Sequence, residues 1–279
     1  MNTLKGHLLL YDKDCPLCAK YTSWFVTYHW LDKSSRVAYQ DVPQNQFPNV
    51  DFSMAQDKIA LVNSNNGEVS YGIDALNKVL GNSFPFISSC LKFKPLYGFM
   101  TQLYAFISMN RKVFIPVSCS QLNSCNPSRH WFWRWTFVFL FLTLGVLLFH
   151  FSNFLNTGLF QGYEVLQSII IFSIPLLIQY LVCTLLKEHN YYDYVGHYAM
   201  IHFQASLVLF VLGIVFHCIS PSIAMSNYML YVNGILLFTF LFLSFLHYRR
   251  MRKAELSSIL TITFILSYIF ILIILNYLQ

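Results

Sequence analysis

The chain has 279 residues, of which 56% are hydrophobic and only 11% charged, with a formal net charge of +6. A globular domain usually has about a quarter of its residues charged, so this composition excludes a wholly water-soluble protein. The bases sit beside apolar runs, which points to anionic lipid and away from a nucleic-acid partner.

The acids and mixed polar residues concentrate in residues 1–130, and Phe, Leu, Ile and Tyr dominate from 131 onward. This predicts a soluble-looking domain over 1–115, a juxtamembrane linker over 116–132 and a membrane domain over 133–279. The start, Met1 to Leu8, has too short an apolar run for a signal peptide and is read as lacking one. Without such a leader, seven cysteines in a chain this long are not read as a disulfide framework.

In chain order, His7–Tyr11 reads as a strand that runs into Asp12-Lys13-Asp14-Cys15-Pro16-Leu17-Cys18. A helix follows from about Cys15 to Leu31, with Tyr21, Trp24, Phe25, Tyr28 and Leu31 at helical spacing. Arg36–Asp41 alternates and predicts a second strand, and residues 43–49 a loop. Lys58–Asn63 predicts a third strand, turning at Asn65-Asn66-Gly67 into a returning strand over Glu68–Tyr71. Ile73–Leu80 predicts a short helix stopped by Gly81. Residues 86–112 read as a second helical region, with Leu96, Met100, Leu103 and Ile107 on one face. It is too polar to span a membrane and is suited to packing on the domain or lying in the membrane interface.

Five apolar runs follow, at about 133–151, 165–186, 198–219, 228–246 and 256–278, each near the roughly 20 residues a spanning helix needs. Arg249, Arg250, Arg252 and Lys253 lie between the fourth and fifth. Arg111, Lys112, Arg129 and Arg134 precede the first, and Lys187 follows the second. Residues 152–164 and 220–227 contain no Lys or Arg. This pattern predicts a multi-pass protein of the cytoplasmic membrane, with the N-terminal domain in the cytoplasm and the C-terminus outside.

The chemistry concentrates at Cys15 and Cys18. A Cys-Pro-x-Cys where a strand turns into a helix is the layout of thioredoxin-type redox centres. Cys15, at an exposed helix start, would be stabilised as thiolate by the unpaired N–H groups and the helix dipole. Cys18, one turn on, would resolve a mixed disulfide. Pro16 suits the first turn because its missing N–H would have no partner there. Lys13 would favour the thiolate and Asp14 would oppose it, while a buried Asp12 could relay protons.

Other readings compete. Cys15/Cys18 could be half of a zinc site whose other half is Cys119/Cys125, although their spacing exceeds the common one, or an inert relic. Cys119 and Cys125 could form a second dithiol that exchanges with the first, or be unrelated loop cysteines. Cys183 and Cys218 stand alone on their spans, so a cysteine relay across the membrane would lack its far pair. His150, His197, His202, His217 and His247 lie in or beside the spans. Such residues are functional candidates by default or are simply hydrogen-bonded inside the bundle. His202 and His217 lie about 22 Å apart at helical rise, which leaves haem or a quinone open. The polar loop from Lys187 to Asp193 could dock the redox domain or be an interfacial loop.

Tyr11-Asp12-x-Asp14-Cys15-Pro16-Leu17-Cys18 resembles the signature of the DCC family, thiol-disulfide oxidoreductase-like proteins named for Asp-x-x-Cys-x-x-Cys. Lys58-Ile59-Ala60-Leu61-Val62-Asn63, the Asn-Gly turn, Tyr71-Gly72-Ile73-Asp74-Ala75-Leu76 and Tyr104…Asn110-Arg111 are similar to its later segments. The resemblance covers roughly residues 6–115. It implies a thioredoxin-like fold and dithiol–disulfide activity with Asp12, Cys15 and Cys18 as motif residues. Two departures stand out. Lys13 replaces a frequent glycine, and Met54-Ala55-Gln56-Asp57 contains no proline where thioredoxins place a cis-proline before the third strand.

The expectation is therefore a thioredoxin-like α/β domain followed by an all-α polytopic membrane domain. Its function would be thiol–disulfide exchange facing the cytoplasm, more plausibly reducing than oxidising, with no cofactor beyond the dithiol. The partners would be membrane lipid and a thiol or disulfide, protein or small molecule. The alternatives are a transporter- or receptor-like protein with a redox-sensing or structural domain, and a quinone-linked oxidoreductase.

Overall fold

A computed structural model describes residues 2–116, 128–155, 165–187, 191–223 and 225–277. The chain divides into two compact units, Met1–Trp133 and Arg134–Gln279.

The first unit is a mixed α/β domain built on four strands: β1 (His7–Tyr11), β2 (Arg36–Ala38), β3 (Ala60–Asn63) and β4 (Val69–Tyr71). Their order is β2-β1-β3-β4, with β1 parallel to β2 and antiparallel to β3, and β3 antiparallel to β4. Successive side chains on a strand point to opposite faces, so the apolar run of β1 serves two cores. Leu9 and Leu61 pack with Phe25 of α1 (Pro16–Thr27) and with Ala75 and Val79. Leu10, Ala60 and Val62 pack on the other face with Tyr39, Val50 and Ala55. A parallel pair needs a crossover, and α1 supplies it between β1 and β2.

Several boundaries differ from the sequence expectation. α1 ends at Thr27, not Leu31, because His29 takes a left-handed conformation (φ 59°). The N–H groups of Trp30 and Leu31 then both return to the Phe25 carbonyl. β2 stops at Ala38, and Tyr39–Asp41 curls into a 3-10 turn. A short helix, α2 (Phe52–Asp57), capped by the Asp51 carboxylate, occupies the stretch before β3. Among the described residues no peptide is cis.

Gly81 does not stop its helix. α3 runs Gly72–Ser83 and ends where Pro85 keeps Phe84 out of the helical conformation (φ −133°, ψ 84°). Gly81 is instead a packing position, since a Cβ there would sit 1.9 Å from Ser88 Oγ. The region 86–112 is two helices, α4 (Pro85–Leu91) and α5 (Lys94–Phe114), each opened by a proline. Leu103 and Ile107, on the expected apolar face of α5, are exposed; its buried end is Ser108, Met109, Asn110, Arg111 and Val113.

The second unit is all-helical: α6 (Trp131–Leu155, beginning just before the boundary), α7 (Val165–Leu185), α8 (Tyr191–Ile219), α9 (Met225–Lys253) and α10 (Ile259–Tyr277). By length and composition α6 to α9 are long and apolar enough to cross a membrane, and α10 is a further apolar helix of 19 residues. Tyr194, Tyr198 and Ile201 of α8 are fully buried and pack with Leu260 and Phe264 of α10. The basic cluster expected in a loop lies on helix. α9 continues through Arg249, Arg250, Arg252 and Lys253, where cations complement the negative end of the helix dipole. Tyr191–Asp193, expected in a loop, form the first turn of α8, and Asp193 pairs with Arg134 at 3.2 Å.

Candidate functional site: the Cys15–Cys18 dithiol

Cys15 is the N-cap of α1. Its backbone is extended (φ −96°, ψ 106°), Pro16 follows in the first turn, and its Sγ accepts the Cys18 N–H at 3.3 Å. A thiolate here takes the place usually held by a capping oxygen. Both thiols are free. The expected exposure of Cys15 is not observed: Cys15 and Cys18 are each only 7% exposed. The end of α5 closes over the motif, leaving a niche of about 10 Å³ lined by Asp14, Cys15, Pro16, Arg111, Lys112 and Ile115.

Hydrogen bonding, not exposure, separates the two cysteines. The Cys15 thiol is lowered to about 7. The largest cause is the hydrogen bond from the Cys18 thiol, and the Arg111 charge and the Cys18 N–H add to it against burial and Asp12. Cys18 moves the other way, raised because its proton is held by Cys15 and because it is buried. One sulfur is thus poised to ionise while its neighbour keeps its proton.

The cation acting on the dithiol is Arg111 of α5, not Lys13, which turns outward to pair with Asp41. Arg111 and Asp12 form a buried ion pair at 2.7 Å. Arg111 also donates to the carbonyls of Gln56 (2.7 Å) and Asp57 (3.4 Å), closing the C-terminal end of α2, and Ser108 donates to the same Asp57 carbonyl. Burial works against the Arg111 charge, but Cys18, Asp12 and Cys15 outweigh it and its pKa is raised. The second Asp12 oxygen accepts the Asp14 N–H (3.0 Å) and the Gln40 side chain (2.6 Å). Both Asp12 oxygens are therefore engaged in holding the motif loop and Arg111.

On the Cys18 side lies a cavity of about 220 Å³, lined among others by Leu17, Cys18, Tyr21, Ile59, Tyr104 and Arg111. Tyr104 accepts the Ile59 N–H at 3.1 Å, just where β3 begins, and burial pushes its hydroxyl up to about 12. Its ring lies 3.1 Å from where a Cβ on Gly72 would stand, and Gly72 has φ +57°, so that position takes glycine on both counts.

The structure thus joins Asp12, Cys15 and Cys18 and adds Arg111, Gln40 and Tyr104, which sequence reasoning did not place in the site. Tyr104 and Arg111 had a signal in the resemblance of Tyr104…Asn110-Arg111 to a segment of the DCC family; Gln40 had none. Cys119 and Cys125 lie outside the described residues. Among the described residues no three His, Cys, Asp or Glu gather as a metal site. His202 bonds Tyr268, His247 bonds Tyr194 and Thr261, and both of these rings lie against Phe264, while His197 faces Arg250 and His217 is exposed.

A strand-to-helix dithiol on a β2-β1-β3-β4 sheet defines a class of redox domain, and comparison with known families agrees. Residues 9–115 match the family model described as DCC1-like thiol-disulfide oxidoreductase. No curated protein and no solved structure matches the chain. The chain therefore carries an N-terminal DCC-like thiol-disulfide oxidoreductase domain, followed by a region of long apolar helices consistent with a multi-pass membrane protein.

Proposed function

We propose that this protein is a membrane-anchored thiol–disulfide oxidoreductase in which Cys15 is the nucleophile and Cys18 the resolving thiol. The observation that carries the reading is the N-cap position of Cys15, with its sulfur accepting the Cys18 N–H and its pKa near 7. The Cys15 thiolate attacks a substrate disulfide, forming a mixed disulfide and expelling one substrate thiolate. Cys18 then gives up its proton, which the expelled thiolate takes, and attacks Cys15 Sγ. The second substrate thiol leaves, and two electrons have passed from the cysteine pair to the substrate. Asp12 and Arg111 position the loop and favour the thiolate; with both its oxygens engaged, Asp12 is assigned a holding role and not a proton relay.

We place the α/β unit in the cytoplasm and the C-terminus outside, on the strength of the bases at the end of α9 and the absence of Lys and Arg at 152–164 and 220–227. In a reducing compartment the pair works as a reductant.

The test is reduction of a disulfide substrate, insulin or glutathione disulfide, by the full-length reduced protein. Cys18→Ser should trap a mixed disulfide on Cys15, and its identity would show whether Cys119 or Cys125 is a partner. Turnover that survives Cys15→Ser would overturn the reading.

A further inference from the structure

The helical unit contains a second cavity, open on one side. A cavity of about 290 Å³ is bounded by α6 to α10 and lined by, among others, Phe172, His202, Leu209, Leu237, Phe240 and Tyr268. It lies near the lower end of the usual range for small-molecule sites, about 300–1,000 Å³. No Asp, Glu, Lys or Arg lines it, so it suits a neutral occupant and not an ion or a phospholipid headgroup.

Its ring-bearing polar pair is His202 and Tyr268. His202, 3% exposed, has both ring nitrogens at 3.1–3.2 Å from the single hydroxyl of Tyr268. One hydroxyl cannot meet both nitrogens in the ring plane, so one nitrogen retains an unused bonding direction in an apolar setting, where an unmade hydrogen bond is costly. Two further hydroxyls line the cavity: that of Thr239 is used by the Ile235 carbonyl, and that of Ser206, 4% exposed, lies one helical turn beyond His202. Around this anchor aromatic rings alternate with aliphatic side chains, and Phe172 lies 5.0 Å from the His202 ring, centroid to centroid. Leu237, also a lining residue, is 60% exposed on the outer surface of α9, so the cavity reaches the side of the bundle that lipid would cover.

We infer that this cavity binds the headgroup of a lipid-soluble quinone. The planar ring would lie among Phe172, Phe240 and Tyr268, one carbonyl would accept a hydrogen bond from His202, and the tail would leave past Leu237. The inference does not rest on the dithiol chemistry, because the site is formed wholly within the helical unit.

The test is calorimetric titration of decylubiquinone into the detergent-solubilised full-length protein. Saturable binding is expected. His202→Leu should weaken it about tenfold through the lost hydrogen bond. Leu237→Trp, which narrows the mouth from the lipid-facing side without touching the core, should weaken it by a similar factor. His217→Leu, at an exposed histidine of the same helix, and Cys15→Ser should leave it unchanged. The inference is overturned if decylubiquinone shows no saturable binding, if Leu237→Trp binds it as the parent does, or if cholesterol binds as tightly with the same response to the variants.

Discussion

The two units each bury polar side chains, but of different kinds and at different places. In the α/β unit a full ion pair, Asp12–Arg111, stands beside the dithiol, and further hydrogen bonds from Asp14, Gln40 and the end of α2 surround it. In the helical unit the buried charges keep to helix ends: Arg134 in the first turn of α6 and Arg250 in the last turn of α9. Other buried polar groups of the bundle pair a histidine with hydroxyls, His202 with Tyr268 and His247 with Tyr194 and Thr261. The surroundings account for the difference. In the α/β unit the charge is held by a dense set of partners, whereas in hydrocarbon, which helices of this length suit, an ion far from the interface is expensive. The charged network surrounds the dithiol for which exchange chemistry is proposed; the His202–Tyr268 pair lines the cavity proposed to take an uncharged ligand.

The comparison can be broken at several points. The largest effect is expected from Cys15→Ser, which should lower disulfide reduction by roughly a thousandfold or more, as loss of a nucleophile does. Quinone binding unchanged in the same variant would keep the two units separate in function.

Arg111→Met should cost about 3–5 kcal/mol by leaving Asp12 buried without its cation, read from denaturant unfolding of the α/β unit. It should also move the Cys15 pKa upward. The double variant Asp12→Leu/Arg111→Met should recover most of the stability but not the thiolate. A single-variant loss below about 1 kcal/mol, as for a surface pair, would show that the network does not bear on the fold.

The pH dependence follows from the lowered Cys15 pKa. Alkylation of Cys15 should be half-maximal near pH 7. At that pH its thiolate fraction should exceed that of a free cysteine, with pKa about 8.5, by roughly fifteenfold. Cys18 should stay slow throughout. For stability the sign is that of a depressed acid: the Cys15 contribution to the reduced protein is fully present above its ordinary value of 9.0 and is lost as pH falls through about 7. A Cys15 alkylation midpoint at or above 8.5 would remove the electrostatic case for the nucleophile.

In the helical unit, Tyr194→Phe should cost about 1–3 kcal/mol by depriving His247 Nε2 of its partner. That is less than the Arg111 effect, because no charge is left exposed to apolar surroundings. Equal losses at the two sites would erase the distinction drawn between them. The smallest effect is expected at Gly81→Ala. The new methyl must displace the Ser88 hydroxyl from Asn77, at about 1 kcal/mol, and Ser88→Gly in the same chain should remove the penalty.

Much of this architecture was legible without coordinates. The Cys-Pro-Leu-Cys at a strand-to-helix junction, the strands of β1, β3 and β4, and the long apolar helices all follow from neighbours in the chain. Alternation, helical period, turn residues and hydrophobic length act over a few residues, so a local reading reaches them. Element ends were less legible because they depend on single conformations and on packing. The left-handed His29 ends α1 early, Pro85 and not Gly81 ends α3, and the α9 helix carries its bases past the apolar run.

Only the tertiary structure decided the rest. Asp12 and Arg111 meet across 99 residues of chain, Gln40 arrives through a 3-10 turn where a strand was expected, and α5 closes over Cys15 so that hydrogen bonding and not exposure sets it apart from Cys18. His202 and Tyr268 face one another from helices 66 residues apart. Such pairs carry no local period. They exist because packed helices bring distant residues within 3 Å or so, where hydrogen bonds and charge take hold. The dithiol and the membrane-length helices were set by the sequence alone, while the groups that give the thiol its pKa and the helical bundle its cavity were set by packing.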